Sequence, residues 1–253
     1  MRPLRTIILL PALAAITISM AQVAVGGKVG FNYAIGSQKI QPDPKDPPTN
    51  PKGMGFAFGA YAEIPFSDLV GIRPELGFSF RRLKTESTAV QDFENAGVTV
   101  NGQQGTFTGK QTQLTETDQR LQYFQLNAPL TISPSEGFRI MVGPSFGFLM
   151  GGKQNSDVTL TTEGTATVNG QEQSIKEESF ETSKKKGSAA IRNFRKMDVA
   201  AMAGLGYTLG VGLDLDLRFY RSVVTTYDES AGSSRYRIWT NLVEFSMGWT
   251  FGK

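Results

Sequence analysis

The stretch Met197–Val223, MDVAAMAGLGYTLGVGLDLDLRFYRSV, decides the fold. Its second half alternates without a slip: Leu213, Leu215, Leu217 and Phe219 fall in one phase, Asp214, Asp216, Arg218 and Tyr220 in the other. A period of two puts all the charge on one side of a strand and all the hydrocarbon on the other, whereas a helix would scatter the carboxylates round its circumference. Gly210-Val211-Gly212 supplies a turn between the halves, so the stretch reads as a β-hairpin. Which side faces water depends on whether the pattern recurs.

It does recur. Val23–Ala34 places Val23, Val25, Val29, Phe31 and Tyr33 opposite Lys28, Gly30 and Asn32. Further strands are predicted over Met54–Phe66, Ile72–Arg82, Leu121–Ile132, Phe138–Met150 and Ile238–Phe251, each alternating in the same way. Between them, residues 35–53, 83–119, 151–195 and 226–236 are polar or proline-rich and predict four long loops. Ser67-Asp68, Ser133–Gly137 and Gly210–Gly212 predict three short turns. Eight strands with short and long connections in alternation describe an all-β, antiparallel, up-and-down transmembrane barrel with long extracellular loops. Asn101-Gly102 and Asn169-Gly170, flanked by Thr and Val, predict small hairpins within the second and third loops.

Bulk properties bound the alternatives. The 253-residue chain has a mean hydropathy of −0.20. No apolar run of roughly 18 residues follows the N-terminus, which excludes a helical membrane bundle and leaves a barrel open. Arg2 and Arg5 precede an apolar stretch, Ile7–Ile18, and Ser19-Met20-Ala21 fits a small-x-small cleavage site. Residues 1–21 therefore read as a secretory signal peptide, with residues 22–253 as the exported barrel. Removing them takes the basic count from 26 to 24 against 23 acids, a formal charge of +1 that supports no nucleic-acid partner.

Alternation alone would also suit a soluble barrel with an apolar interior, and the glycines choose between the two. Gly30, Gly55, Gly59, Gly77, Gly143, Gly147, Gly204, Gly206 and Gly248 all fall in the polar phase, where the narrow interior of an eight-stranded barrel needs small residues. The same phase carries Lys28, Arg73, Arg81, Arg139 and Arg218 against Glu63, Glu75, Asp198, Asp214, Asp216 and Glu244. Facing lipid, each cation near the midplane would cost about 2–4 kcal/mol. The charged phase must therefore line the lumen, as a structural network pairing across it. Tyr33, Phe66, Phe138, Tyr207, Trp239, Trp249 and Phe251 lie near strand ends, as interfacial girdles require. Met141, Leu149, Met202 and Leu242 depart from the pattern by falling on the inner face, and Asn241 by falling on the outer one.

Little in the chain suggests catalysis. Asp214 and Asp216 could form a catalytic carboxylate pair, but beside Arg218 on one wall they read better as lumen ion pairs. The chain contains no His and no Cys, which removes Ser-His and Cys-His devices and most zinc sites. No enzyme activity, cofactor or metal is expected. Lys184, Lys185, Lys186, Arg192, Arg195 and Lys196 form a basic cluster where the third loop returns to the membrane, a candidate contact for lipopolysaccharide headgroups.

The segments AQVAVGGKVGFNYA (21–34), GFAFGAYAEIPF (55–66), AGLGYTLGVGLDLDLRFY (203–220) and VEFSMGWTFGK (243–253) resemble the PorT-type outer-membrane barrels of Bacteroidetes, whose architecture is related to the OmpX and OmpA barrels. The resemblance implies a bacterial outer-membrane protein of largely unassigned role, and it allows a part in protein export. The resulting expectation is a monomeric, non-enzymatic barrel with a side-chain-filled lumen and loops that contact an extracellular or envelope protein. A narrow channel for ions or small solutes is the alternative.

Overall fold

The computed structural model describes residues 23–100 and 102–251; the expected signal peptide lies outside the described residues. In chain order the strands are β1 (Ala24–Gln41), β2 (Lys52–Pro65), β3 (Val70–Ile72), β4 (Glu75–Val100), β5 (Gln103–Asn127) and β6 (Leu130–Ser135). They continue as β7 (Phe138–Val168), β8 (Gln171–Lys186), β9 (Met197–Thr208), β10 (Leu213–Ser222), β11 (Tyr227–Ala231) and β12 (Ser234–Phe251). Eight of them form a ring in the order β1-β12-β10-β9-β7-β5-β4-β2, and β2 pairs back onto β1. Every pairing is antiparallel, and closure leaves the ring without an exposed edge.

The phase read from the sequence is the phase of the wall. On β10, Asp214, Asp216, Arg218 and Tyr220 are buried while Leu217 and Phe219 are exposed. Phe31, Met54, Phe56, Leu76, Phe78, Val142, Leu205, Phe245 and Met247 also project outward, an apolar exterior that only lipid can cover. Of the expected girdle, Tyr33, Phe66, Tyr207, Trp249 and Phe251 are exposed on this surface, and Phe138 and Trp239 are half-buried. Two strands read as continuous are broken by proline, which has no amide proton to give a ladder. Chain passing Pro74 divides β3 from β4, and chain passing Pro129 divides β5 from β6. Their carbonyls stay in use, since Ala62 N donates to Pro74 O (3.0 Å) and Arg73 N to Pro129 O (2.9 Å). β3 and β6 pair with each other between β2 and β7, so the wall continues to its short-turn end.

The long connections depart most from expectation. Residues 83–119 are not a loop: β4 and β5 stay paired from Glu75–Asn127 out to Val100–Gln103. Residues 151–195 are largely strand too, because β7 continues to Val168 and β8 pairs with it down to Lys153–Lys186. The outer parts of β4, β5, β7 and β8 form a four-stranded sheet standing on the barrel rim. At ~3.3 Å per residue, β4 beyond Arg82 extends roughly 60 Å along the strand. Asn169-Gly170 lies at the tip of the long β7–β8 hairpin rather than in a small one, and Gly102 stands between the ends of β4 and β5, while Asn101 lies outside the described residues. Asn169 and Gly170 have φ of +51° and +76°, the left-handed pair a two-residue hairpin turn needs, and Gly102 has +81°. The other two connections shorten to residues 42–51 and to a hairpin between β11 and β12.

The sequence pattern does not distinguish this sheet from loop because water wets both its faces. Thr106, Thr108, Thr112, Thr115 and Thr117 on β5, and Thr159, Thr161, Thr162, Thr165 and Thr167 on β7, are good strand formers that show no apolar alternation. Native-state hydrogen exchange gives the check: amides of β5 and β7 over 105–118 and 154–167, bonded on both sides, should be protected, and those of the edge strand β8 much less so. Equal, fast exchange throughout would mean the region is coil.

Candidate functional site

Two layers of side chains fill the ring. Toward the short-turn end lies a charged network. Arg218 donates to Glu75 through Nη1 (2.6 Å) and Nη2 (2.7 Å), a bidentate pair, and Nη2 also reaches Asp216 (2.7 Å). Arg139 meets Asp216 (2.8 Å), Asp214 (3.1 Å) and Glu63 (3.4 Å). Lys28 meets Glu75 (2.8 Å) and Glu244 (3.4 Å). Arg73, fully buried, stands among Glu63, Glu75, Asp214 and Asp216 at 3.5–3.6 Å, with its guanidinium 3.6 Å from the centroid of the Tyr61 ring. Closer to the long hairpins, Arg81 and Asp198 form a separate pair at 2.7 Å; Ser222 donates to Asp198 (2.6 Å), and Arg81 lies over the Tyr123 ring. The structure thus brings all eleven wall residues into direct charge contact with a partner from another part of the wall, Glu244 by way of its 3.4 Å contact with Lys28.

Glycine makes the network fit. Gly206 faces Arg139 and Asp216, and a Cβ there would lie 2.9 Å from Arg139 Nε. Gly248 similarly leaves room for the Tyr61 ring, 3.1 Å from where its Cβ would stand. Tyr61 uses that room to donate to Asp214 (2.5 Å), which also accepts from Thr208 (2.5 Å) and Thr250 (2.8 Å). Tyr61, Thr208 and Thr250 were not singled out in the sequence. Tyr61 shares the inward phase of its strand, which was the only signal for it.

Above the charges is an apolar layer. Ala34, Leu83, Leu121, Tyr123, Met141, Phe194, Ala200, Met202, Tyr220 and Leu242 form one buried cluster, with Leu149, Ile191 and Tyr227 packed against it. The four inward apolar exceptions thereby find a common role, and Asn241 on the outer face bonds Ser37 (3.2 Å). Phe194 and Ile191 come from the segment after β8, which folds back over the rim; Phe194 meets Tyr227 edge to face at 4.9 Å. At the short-turn end a cavity of about 420 Å³ opens between Glu63, Val70, Phe138, Arg139, Thr208 and Leu209. It touches the network at Glu63, Arg139 and Thr208.

Chemically, the carboxylates are saturated acceptors. Asp214 takes three hydroxyls and a guanidinium, and Asp216 takes two guanidiniums, so neither is poised to attack or to transfer a proton. Among the described residues no group of three or more His, Cys, Asp or Glu is arranged to hold a metal ion.

The basic cluster does not stay together. Lys184, Lys185 and Lys186 end β8, paired with Asn155, Gln154 and Lys153, so Lys185 faces the opposite side of the sheet from the other two. Arg192, Arg195 and Lys196 are exposed in the segment that follows, and Arg195 lies 3.8 Å from Asp228. Two hydrogen bonds from Arg235 (2.9 and 2.7 Å), aided by the charge of Arg195, hold the Asp228 carboxyl below the ordinary aspartate range. A depressed folded-state value means the β11–β12 hairpin gains stability above the unfolded-state pKa and loses it as pH falls through the folded one. In a carboxyl NMR titration Asp228 should titrate below an ordinary aspartate, and Arg235→Gln should return it toward that value; an unchanged midpoint would remove Arg235 as the cause.

No curated protein matches the sequence. Among solved structures the chain is similar to Ail, the attachment invasion locus protein of Yersinia pestis, at 13% identity, covering 87% of this chain and 97% of that one, with a TM-score of 0.30. It is also similar to the outer membrane protein OprG of Pseudomonas aeruginosa at 11% identity, covering 91% and 96%, with a TM-score of 0.35. Neisserial surface protein A gives 11% identity, 86% and 95% coverage and a TM-score of 0.26. No ligand or role is transferred from likenesses of this depth. The family model described as "Outer membrane protein beta-barrel domain" matches residues 19–228, most of the closed ring, and the chain belongs to that family of bacterial outer-membrane barrels.

Proposed function

We propose that this protein is a non-enzymatic, non-conducting outer-membrane barrel that holds a rigid four-stranded sheet outside the cell for contact with an extracellular or envelope protein. It works as a monomer without a cofactor, after removal of residues 1–21. The observation that supports this reading most is the contrast between the two ends of the same strands. Inside the ring, ion pairs and an apolar layer fill the cross-section with side chains, whereas outside it the strands continue as a sheet with two open edges. The same face of that sheet carries Val90 and Phe180, exposed apolar residues placed where a partner would cover them.

In planar bilayers the protein should give no conductance steps; regular steps would instead favour a narrow channel. A photo-crosslinker at Val90 or Phe180 in living cells should capture a discrete partner that one at Val29, on the lipid face, does not. Identical products from both positions would remove the sheet as the contact surface. The PorT-type resemblance supplies a more specific version, an accessory barrel of protein export. Export components among the captured proteins would select it.

A further inference from the structure

The strand registers stack cations in a way that neither the lumen nor the tip of the sheet accounts for. Arg82 on β4 stands opposite Arg120 on β5, Arg120 opposite Lys153 on β7, and Lys153 opposite Lys186 on β8. Two residues farther out a second row reads Lys52, Lys84, Asp118, Asn155 and Lys184 across β2, β4, β5, β7 and β8. Directly opposed residues stand about 4.5–5.5 Å apart at Cβ, and like charges so placed destabilise the pair. Asp118 relieves only part of this. It accepts from Arg82 (2.7 and 2.9 Å) and from Arg120 (3.2 Å), while the lysines of both rows have no ion-pair partner among the described residues.

Both rows lie on the outer surface. They continue the phase of Leu76, Phe78 and Phe80 on β4, of Leu126 and Phe124 on β5, and of Met54, Phe56 and Phe58 on β2. The first row begins two residues, or roughly 7 Å, beyond Phe80, where the hydrocarbon-facing band ends. Farther out the same face turns acidic, with Glu86 opposite Glu116 and Glu116 opposite Asp157. Stacked cations thus occupy one depth, between lipid-facing aromatics and a row of carboxylates, whereas Lys110 and Lys176 farther out on the same face stand opposite Asp92 and Glu163.

We propose that these two rows bind the phosphate groups of outer-leaflet lipopolysaccharide, which supply the negative charge the stacked cations lack. This rests on the barrel's place in the outer membrane and adds a specific lipid contact to it. Continuity with the apolar band selects a lipid-borne phosphate over one free in solution. At a strand spacing near 4.8 Å the first row is about 14 Å long, enough to meet more than one phosphate at once. Being exposed, the contact weakens as salt screens it.

The test uses the full protein refolded in phosphatidylcholine vesicles, with binding of fluorescent lipopolysaccharide measured against ionic strength. The variant K84Q/K153Q/K186Q should lose roughly 100-fold in affinity at low salt, the loss expected for three lysines near an anionic surface. The control K110Q/K176Q, far out on the same sheet, should bind as wild type does. Lipopolysaccharide stripped of its phosphates should bind no variant more tightly than another. Should the triple variant not show heat-modifiable migration, K186Q on the edge strand alone should still lose affinity. Equal binding by the triple variant and wild type, equal loss in the control, undiminished binding of the dephosphorylated lipid, or displacement by inorganic phosphate would each overturn the proposal. Conductance of the same vesicles bears only on the closed lumen, so the two readings fail separately.

Discussion

Replacing Arg218 with methionine should lower the unfolding free energy of the barrel by about 3–5 kcal/mol, the cost of leaving buried carboxylates without their cation. Arg218 is almost fully buried and makes the shortest ion pair of the lumen, 2.6 Å to Glu75, with further contacts at 2.7 Å to Glu75 and to Asp216. Without it, Glu75 keeps Lys28 at 2.8 Å and Asn127 at 3.1 Å, and Asp216 keeps Arg139 at 2.8 Å, so the remaining pairs soften the loss without cancelling it. The isolated pair above gives the contrast. Arg81→Met alone strands Asp198, whereas the double change R81M/D198L removes both charges and should cost far less than the single one. Urea unfolding in vesicles, followed by the fluorescence of Trp239 and Trp249, reads all three. A midpoint for Arg218→Met equal to that of wild type would mean the network does not hold the fold.

Gly77→Val should be almost as damaging, at about 3 kcal/mol, the upper end of what overpacking costs. Gly77 on β4 is paired with Gly59 on β2, and a Cβ added at Gly77 would lie 2.9 Å from the Gly59 Cα and 3.1 Å from the Phe58 carbonyl carbon. Both neighbours are backbone, so no side chain can swing aside and the strands themselves must part. Gly97, in the outer sheet, is the control. An added Cβ there meets nothing within 4 Å, and Gly97→Val should stay within about 0.5 kcal/mol. Similar losses at the two positions would show that the lumen glycines are not there for close approach.

These particulars also show what the sequence could and could not convey. The ring was legible because lipid and a narrow lumen impose opposite demands on alternate residues, and LDLDLRF meets both. Partnership was not. Glu75 and Arg218 are 143 residues apart, and the sequence gives their wall without saying which carboxylate each cation meets. The proline breaks were visible as residues, yet Arg73 reaching the carbonyl of Pro129 depends on two strands folding side by side. The outer sheet stayed hidden for a simpler reason: a surface wet on both faces needs no alternation, so Thr-rich strand and polar loop look alike. The cation rows became apparent only with the register, because Arg82, Arg120, Lys153 and Lys186 are far apart in sequence and adjacent across four strands.

The chain contains no cysteine, so single cysteines can report which phase meets lipid. L217C and M247C, on the outer wall, and S79C and S246C, on the inner one, would each be reacted with a polarity-sensitive fluorophore in folded vesicles carrying nitroxide-labelled lipid. A lipid-facing apolar phase and a filled lumen predict labelling with strong lipid quenching at positions 217 and 247, and no labelling at 79 and 246 until the protein is unfolded. Free labelling at 79 and 246, with quenching there and none at 217 and 247, would contradict the inward charge network on which the fold rests.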